Sequence, residues 1–230
     1  MAKQDNVMEI KPVAYIHTDF KEKFGIPRQS GRVSALEGKI IFEDEFKNSE
    51  AIRGIEEFSH IWLIFGFSEN ERNRASVTVR PPRLGGNKRI GVFASRAPFR
   101  PNSLGLSVVK LERIEETEKD GSILIVSGVD ILDNTPIYDI KPYIPYADSK
   151  ADAKGSFADD FCEYSLKVNF PKELLELIPE EKREAVIACL KEDPRPSYHN
   201  DERKYSMNFA GFDIHFKVLN GELTVFAVDR

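Results

Sequence analysis

The sequence predicts a mainly β protein, a barrel or a sandwich followed by a small α+β appendage, and three observations lead there. Short β-rich runs, broken by Gly, Pro, Asn or charged clusters about every 10–20 residues, occupy the first part of the chain. At residues 147–160 the composition turns to small and charged residues (Asp148-Ser149-Lys150-Ala151-Asp152-Ala153-Lys154-Gly155), the pattern of a boundary or a long loop. Near the end, two alternating apolar runs flank Asn220-Gly221. These signals divide the 230 residues into a domain at 1–150 and an appendage at 151–230, within the size one core can organise.

Taken in order, strands are predicted at 13–16, 39–42, 61–67, 76–79, 92–94, 106–111 and 123–129, each rich in Val, Ile, Leu or aromatic residues. One helix is predicted between Asn48 and Phe58, because Asn48 or Ser49 can cap it and Ile52, Ile55 and Phe58 would share a face. Residues 172–191 read as helical, divided by Pro179 at a first-turn position. Residues 212–218 and 223–228 read as a hairpin, since Asn-Gly supplies the positive φ angles of a type I′ turn.

Composition excludes several function classes. Hydrophobic residues at 41% and charged residues at 31% describe an ordinary globular chain rather than a disordered one. No apolar run approaches the ~18–20 residues of a membrane span, and no apolar segment follows the N-terminus, so a cytoplasmic protein without membrane attachment is expected. Two cysteines, Cys162 and Cys189, exclude a disulfide framework and a multi-cysteine zinc site, and no metal is expected. The glycines form neither a dinucleotide fingerprint nor a phosphate loop.

Charge is unevenly spread. Between Arg72 and Lys110 lie nine basic residues (Arg72, Arg74, Arg80, Arg83, Lys88, Arg89, Arg96, Arg100 and Lys110) and no acidic one, leaving 24 basic against 38 acidic residues elsewhere. An acidic protein that clears carboxylates from one stretch builds a local anion-binding surface or a solvated basic face. Four polar, Gly- and Pro-rich segments sit between the strands: 24–29, 80–87, 96–102 and 133–143. Proline fixes φ and removes donors, so these loops are stiff and carry Arg, Asn and Asp at strand ends, where binding groups collect.

Within those segments, Gly91-Val92-Phe93-Ala94-Ser95-Arg96, Phe99-Arg100-Pro101-Asn102 and Leu104-Gly105-Leu106-Ser107 form a signature. It is supported by Ser59-His60-Ile61-Trp62, by 80–87, by Asp139-Ile140-Lys141-Pro142-Tyr143 and by Asp193-Pro194-Arg195-Pro196 in the appendage. On these motifs the chain resembles the TsaA-like family, whose characterised members are TrmO-type tRNA methyltransferases.

The resemblance implies a single β-barrel domain that binds S-adenosylmethionine, in a homodimer. It implies methylation of N6 of N6-threonylcarbamoyladenosine beside the anticodon of threonine tRNA. Carried over residue by residue, it implies cofactor contacts at Pro27, Arg28, Gln29, Ser68, Glu69, Arg96, Leu106, Asn134, Thr135, Pro136 and Ile137. Arg96 would bind the carboxylate of the cofactor or that of the threonyl group, and Leu106 would pack on adenine or in the core. Asn134 stands where many members have Gly, and Asn tolerates positive φ. Asp139, beside Lys141, is the candidate base for the N6 proton, with a structural ion pair as its alternative. His60 reads as a packing residue. The basic stretch then acquires an RNA partner, an anticodon stem-loop, with Arg80, Arg83, Arg89, Arg100, Asn102, Tyr143 and Arg195 as candidate contacts. A related methyltransferase with a different substrate, or a protein that binds cofactor or RNA without turnover, are the competing readings.

Overall fold

A computed structural model of the chain describes residues 8–67, 76–84, 88–196 and 203–230. The first domain is built from β1 (Ala14–His17), β2 (Glu37–Phe42), β3 (His60–Gly66), β4 (Thr78–Val79), β5 (Ile90–Gly91), β6 (Leu104–Thr117), β7 (Gly121–Ser127) and β8 (Thr135–Pro142). Six of these pair in the order β1-β2-β7-β6-β3-β8, and β8 pairs again with β1, so the sheet closes on itself. Closure leaves no open edge among these six strands. Inward positions carry Ile16, Ile40, Ile61, Leu63, Val109, Leu124, Val126 and Ile137, all buried in one core. Outward on β6 are Leu104, Leu106 and Lys110, as period-2 alternation requires. Strands β4 and β5 form a separate two-stranded ribbon.

The register holds one irregularity that matters for the site. Ile64 pairs with Asp139, but the next residue, Phe65, pairs with Ile137, so Tyr138 is an extra residue in β8. This bulge reverses the alternation: Ile137 and Ile140 pair with the buried Phe65 and Leu63, while Asp139 and Lys141 pair with the outward Ile64 and Trp62. Gly66 belongs to the same arrangement, since a Cβ there would stand 2.8 Å from the Tyr138 ring.

Two predicted elements take another form. The helix predicted over 48–58 is two 3-10 turns, Ser49–Ile52 and Ile55–Glu57, because Gly54 between them adopts φ 86° and stops propagation. Asn48 does cap the first, accepting the Glu50 N–H at 3.0 Å. The strand predicted at 92–94 is a 3-10 turn, Val92–Ala94, folded back by the Ser95 N–H and hydroxyl, which both donate to the Val92 carbonyl.

After the one-turn helix α1 (Pro145–Asp148), the appendage contains β9 (Lys167–Asn169), α2 (Lys172–Leu175), α3 (Glu180–Lys191), β10 (Lys204–Phe209), β11 (Phe212–Leu219) and β12 (Glu222–Asp229). The four strands form one sheet in the order β10-β11-β12-β9. Pro179 occupies the N-cap position of α3, one residue before the predicted first turn, and still divides the two helices; Asn220 and Gly221 turn the β11–β12 hairpin with φ 49° and 78°, as the sequence predicts. No helix among the described residues is long and apolar enough to cross a membrane.

The connection between β1 and β2 is the seam of the molecule. Phe20 meets Phe209 edge to face at 5.5 Å, and Phe24 stacks against Tyr205 and Phe216. Polar contacts flank them: Lys182 donates to Asp19 at 2.5 Å, and Arg32 forks onto both oxygens of Glu192 at 2.9 and 3.0 Å. The loop carrying residues 27–29 is thus held by the appendage on one side and by the first domain on the other.

Candidate active site

At one end of the closed sheet three predicted segments converge. The first is the loop 27–29, stiffened by buried Pro27. Arg28 donates to the Arg195 carbonyl at 2.9 Å, which anchors this loop to the appendage. Gln29 faces the other way, and its side-chain oxygen accepts from the Arg96 guanidinium. Arg96 itself is exposed, in the second segment, the turn between β5 and β6. The third segment is the β7–β8 connection. It is pinned by Asp133, which accepts the Thr18 N–H at 3.0 Å and pairs with Lys21 at 2.5 Å. Asn134 at its tip is exposed with φ 57°, the left-handed conformation that Asn accepts at small cost.

Between these segments lies a carboxylate that the sequence reading did not single out. Asp130, just past β7, accepts a hydrogen bond from the Ser107 hydroxyl at 2.7 Å. Burial pushes its carboxyl above the usual carboxylate range, against the opposing pull of the Ser107 hydroxyl, its own and the Ser30 backbone N–H groups, and the Arg96 charge. A signal for it existed. Asp130 is the one acidic residue in the apolar run from Ile123 to Leu132.

The other predicted residues are distributed as follows. Leu106 is 55% exposed on the outer face of β6, so it is not a core leucine. Asp139 and Lys141 face outward on β8 and form an ion pair at 2.9 Å, leaving both groups partly solvated. They share the outer face with Leu106, one strand removed, since Ile64 pairs with both Leu106 and Asp139. Thr135 is buried and donates to the Leu132 carbonyl at 2.7 Å, Pro136 is half-buried, and Ile137 is fully buried. The Ile137 side chain belongs to the core and its carbonyl accepts the Val13 N–H at 2.8 Å, which conflicts with its expected cofactor contact. Ser68 and Glu69 lie outside the described residues, as do Arg72, Arg74 and the Arg83 side chain.

Among the expected RNA contacts, Arg80, Arg89 and Asn102 are exposed on and beside the β4–β5 ribbon. Arg100 donates to the carbonyls of Val92 and Ser95 at 3.1 and 2.6 Å and clamps the 3-10 turn. Tyr143 packs against His60 and Trp62, at centroid distances of 6.2 and 5.9 Å. Arg195 departs from expectation. It is buried and forks onto Asp193 at 2.8 and 3.0 Å, so its guanidinium is committed to that carboxylate rather than presented to RNA.

A cavity of about 160 Å³ lies behind the 27–29 loop, lined by residues 23–28, Cys189 and Glu192 to Pro194. Ligand sites for adenosine-sized molecules run to ~300 Å³ and more, so this seam cavity is too small for one. Outside that cavity, Arg96 is exposed beside the half-buried Gln29, and Leu106 is exposed on β6. A guanidinium matches a carboxylate, a buried carboxylate matches a nearby cation, and an exposed leucine matches the apolar face of a purine. No cluster of metal-ligating side chains occurs among the described residues.

Family models, sequence relatives and a solved structure all resemble the chain. The model of the tRNA-methyltransferase O N-terminal domain matches residues 15–149, and that of the TrmO C-terminal domain matches residues 163–230. A tRNA (adenine(37)-N6)-methyltransferase of Escherichia coli is 37% identical across 96% of this chain and 97% of its own. A putative S-adenosylmethionine-dependent methyltransferase of Pseudomonas aeruginosa is 40% identical across 90% of this chain and 91% of its own. The crystal structure of TrmO from Pseudomonas aeruginosa superposes with a TM-score of 0.78 at 32% identity, over 97% of this chain and all of that one.

Proposed function

The chain belongs to the tRNA-methyltransferase O family, and from that premise we propose how its residues serve an S-adenosylmethionine-dependent methylation of N6 of adenine 37 in tRNA. The observation that carries the assignment of the site is the convergence of Gln29, Arg96 and Asp130 from three separate loops. When bound, S-adenosylmethionine supplies an electrophilic methyl group. Arg96, oriented by Gln29, would hold its carboxylate, and Leu106 would cover its adenine, with Pro27, Arg28 and residues 134–136 as further contacts; Ser68 and Glu69 are assigned to the cofactor by the family resemblance alone.

The finer reading is that the acceptor carries an N6-threonylcarbamoyl group, in threonine tRNA. An N6 bearing a carbamoyl group is amide-like and a weak nucleophile. The protein must therefore fix its approach, and orientation alone supplies up to ~7–11 kcal/mol in favourable cases. It must also accept the N6 proton. Asp139 fills that role in this reading, on the outer face it shares with Leu106, with Lys141 stabilising the carboxylate when the proton is absent. Arg80 and Arg89, with Arg83 and Asn102, would position the phosphates of the anticodon stem-loop, and Tyr143 would offer a ring to a splayed base.

Exposed apolar residues favour a homodimer in this reading. Val77, Phe93 and Phe99 flank the β4–β5 ribbon, Leu104 and Leu106 lie at the start of β6, and Phe93 is 79% exposed. A second subunit there would cover them and shelter the open cofactor face, in a cytoplasmic enzyme. The experiment is nucleoside mass spectrometry of tRNA incubated with the protein and S-adenosylmethionine. A gain of one methyl on N6-threonylcarbamoyladenosine, lost in Arg96→Ala and Asp139→Asn, is the expected result. A gain on some other nucleoside would overturn the substrate assignment, and unchanged activity in both variants would overturn the site.

A further inference from the structure

The outer face of the closed sheet carries the only tryptophan of the chain, Trp62. Strand β3 turns His60, Trp62 and Ile64 outward, between the outward residues of β6 and β8. The two registers set three rows across these strands. Leu106, Ile64 and Asp139 form the first, and Val108, Trp62 and Lys141 the second. Lys110 and His60 open the third, which Tyr143 closes by donating its N–H to the His60 carbonyl at 3.0 Å. Neighbouring strands lie about 4.8 Å apart and side chains on one face repeat every ~6.8 Å, so Trp62 stands roughly 8 Å from both Leu106 and Asp139.

Trp62 is half-buried and firmly held. Its indole N–H donates to Asp148 at 3.0 Å, and the same Asp148 oxygen accepts the Ile144 N–H at 2.8 Å, which ties the ring to α1. Tyr143 leans on the indole at 44° and 5.9 Å, and among the described residues no ring lies flat on it. The lysines on the neighbouring strands are each paired with a carboxylate, Lys141 with Asp139 and Lys110 with Glu112, both at 2.9 Å. The surface around the indole is therefore close to neutral. That chemistry suits a flat, uncharged base rather than a phosphate.

We propose that Trp62 is the platform on which the acceptor adenine of the tRNA stacks, with its indole edge fixed by Asp148 and Tyr143 as a second wall. This rests on, and deepens, the reading that places the cofactor on Leu106 and the proton acceptor at Asp139. A base lying on the indole directs its N6 edge toward the first row, where methyl donor and proton acceptor are placed. A base that enters an active site leaves its neighbours in the loop, and an aromatic surface replaces the stacking it loses. Because Asp148 and Tyr143 hold the ring beforehand, little side-chain freedom is lost when the base arrives.

As the sole tryptophan, Trp62 reports on this contact by its own fluorescence in the unmodified protein. The test titrates the full-length protein with two tRNAs that differ only at position 37, one bearing N6-threonylcarbamoyladenosine and one abasic there. S-adenosylhomocysteine replaces the methyl donor so that no transfer intervenes, and binding is followed separately by filter retention. The first tRNA is expected to quench indole emission saturably, and the abasic one to bind more weakly with little quenching. Trp62→Ala is expected to weaken binding of the first tRNA about 5- to 150-fold, the range for one base stacked on an aromatic ring, and Trp62→Phe by less. Melting temperature and S-adenosylmethionine affinity by isothermal titration show whether either variant has disturbed the fold. Both bonds to Asp148 fall on one oxygen, so Asp148→Asn can keep them and is expected to match the parent, whereas Asp148→Ala weakens tRNA binding. Equal quenching by the two tRNAs, or none from either while both bind, refutes the platform and leaves the cofactor reading standing. Unchanged tRNA affinity in a folded Trp62→Ala does the same. If Arg96→Ala binds S-adenosylmethionine as tightly as the parent, or the parent binds neither tRNA, the underlying reading fails and this inference with it.

Discussion

Replacing Gly25 with Ala tests whether the seam between the two parts of the chain sets the geometry of the 27–29 loop. Gly25 adopts φ +99°, and a Cβ added there would stand 2.5 Å from both Cγ and Sδ of Met207, which is fully buried on β10. Unstrained carbon contacts lie near ~3.5–4.0 Å, so the methyl group would overlap Met207 by about 1 Å or more. Left-handed backbone in an L-residue costs about 1–2 kcal/mol, and overpacking a filled core about 1–3 kcal/mol, for a total of about 2–5 kcal/mol. That is a large share of the ~5–15 kcal/mol that holds a typical domain. Urea unfolding of four proteins, the parent, Gly25→Ala, Met207→Ala and the double variant, separates the two contributions. The backbone contribution persists in both backgrounds and cancels in the cycle, whereas the overlap disappears once Met207 is shortened. The double variant is therefore expected to be more stable than additivity predicts by about 1–3 kcal/mol. Because Gly25 lies two residues before Pro27, Gly25→Ala should also weaken S-adenosylmethionine binding. A loss of stability within about 0.5 kcal/mol of zero, or an additive cycle, would refute the reasoning.

Three further outcomes are expected. Asp193 is buried, which by itself raises its carboxyl, but the Arg195 guanidinium and the Tyr164 hydroxyl outweigh burial and hold it below the usual carboxylate range. Its contribution to stability is thus present above the ordinary value of 3.8 and is lost as pH falls through the depressed folded value, so acid unfolding of Asp193→Asn should begin from a lower plateau and show a weaker pH dependence in that window. Binding of tRNA should weaken steeply with salt, and Arg80→Ala combined with Arg89→Ala should reduce the log–log salt slope by about two; an unchanged slope would remove these residues from the interface. Leu104→Asp with Leu106→Asp should halve the mass measured by light scattering if the exposed apolar face joins two subunits, and a parent protein that is already monomeric would dismiss the dimer.

Much of this protein was legible in local sequence. The spacing of the β-rich runs, the proline before α3 and the Asn220-Gly221 turn each depend on a few neighbouring residues, so propensity and turn chemistry were enough. Segregation of the basic residues between 72 and 110 and the ordered motifs that carry the family resemblance were likewise readable along the chain. Other features were decided only by tertiary structure. Asp139 points outward because Tyr138 is an extra residue in β8, and one added residue exchanges the two faces of a strand. Ile137 faces the core for the same reason of register. Arg195 is buried against Asp193, and Asp130 is brought to Ser107, Ser30 and Arg96 by strand closure and loop packing. Sequence alone specifies which groups a chain carries and where it turns. The face a strand residue occupies, and the partner a buried charge finds, depend on pairings between residues far apart in the chain, and those exist only once the sheet has closed.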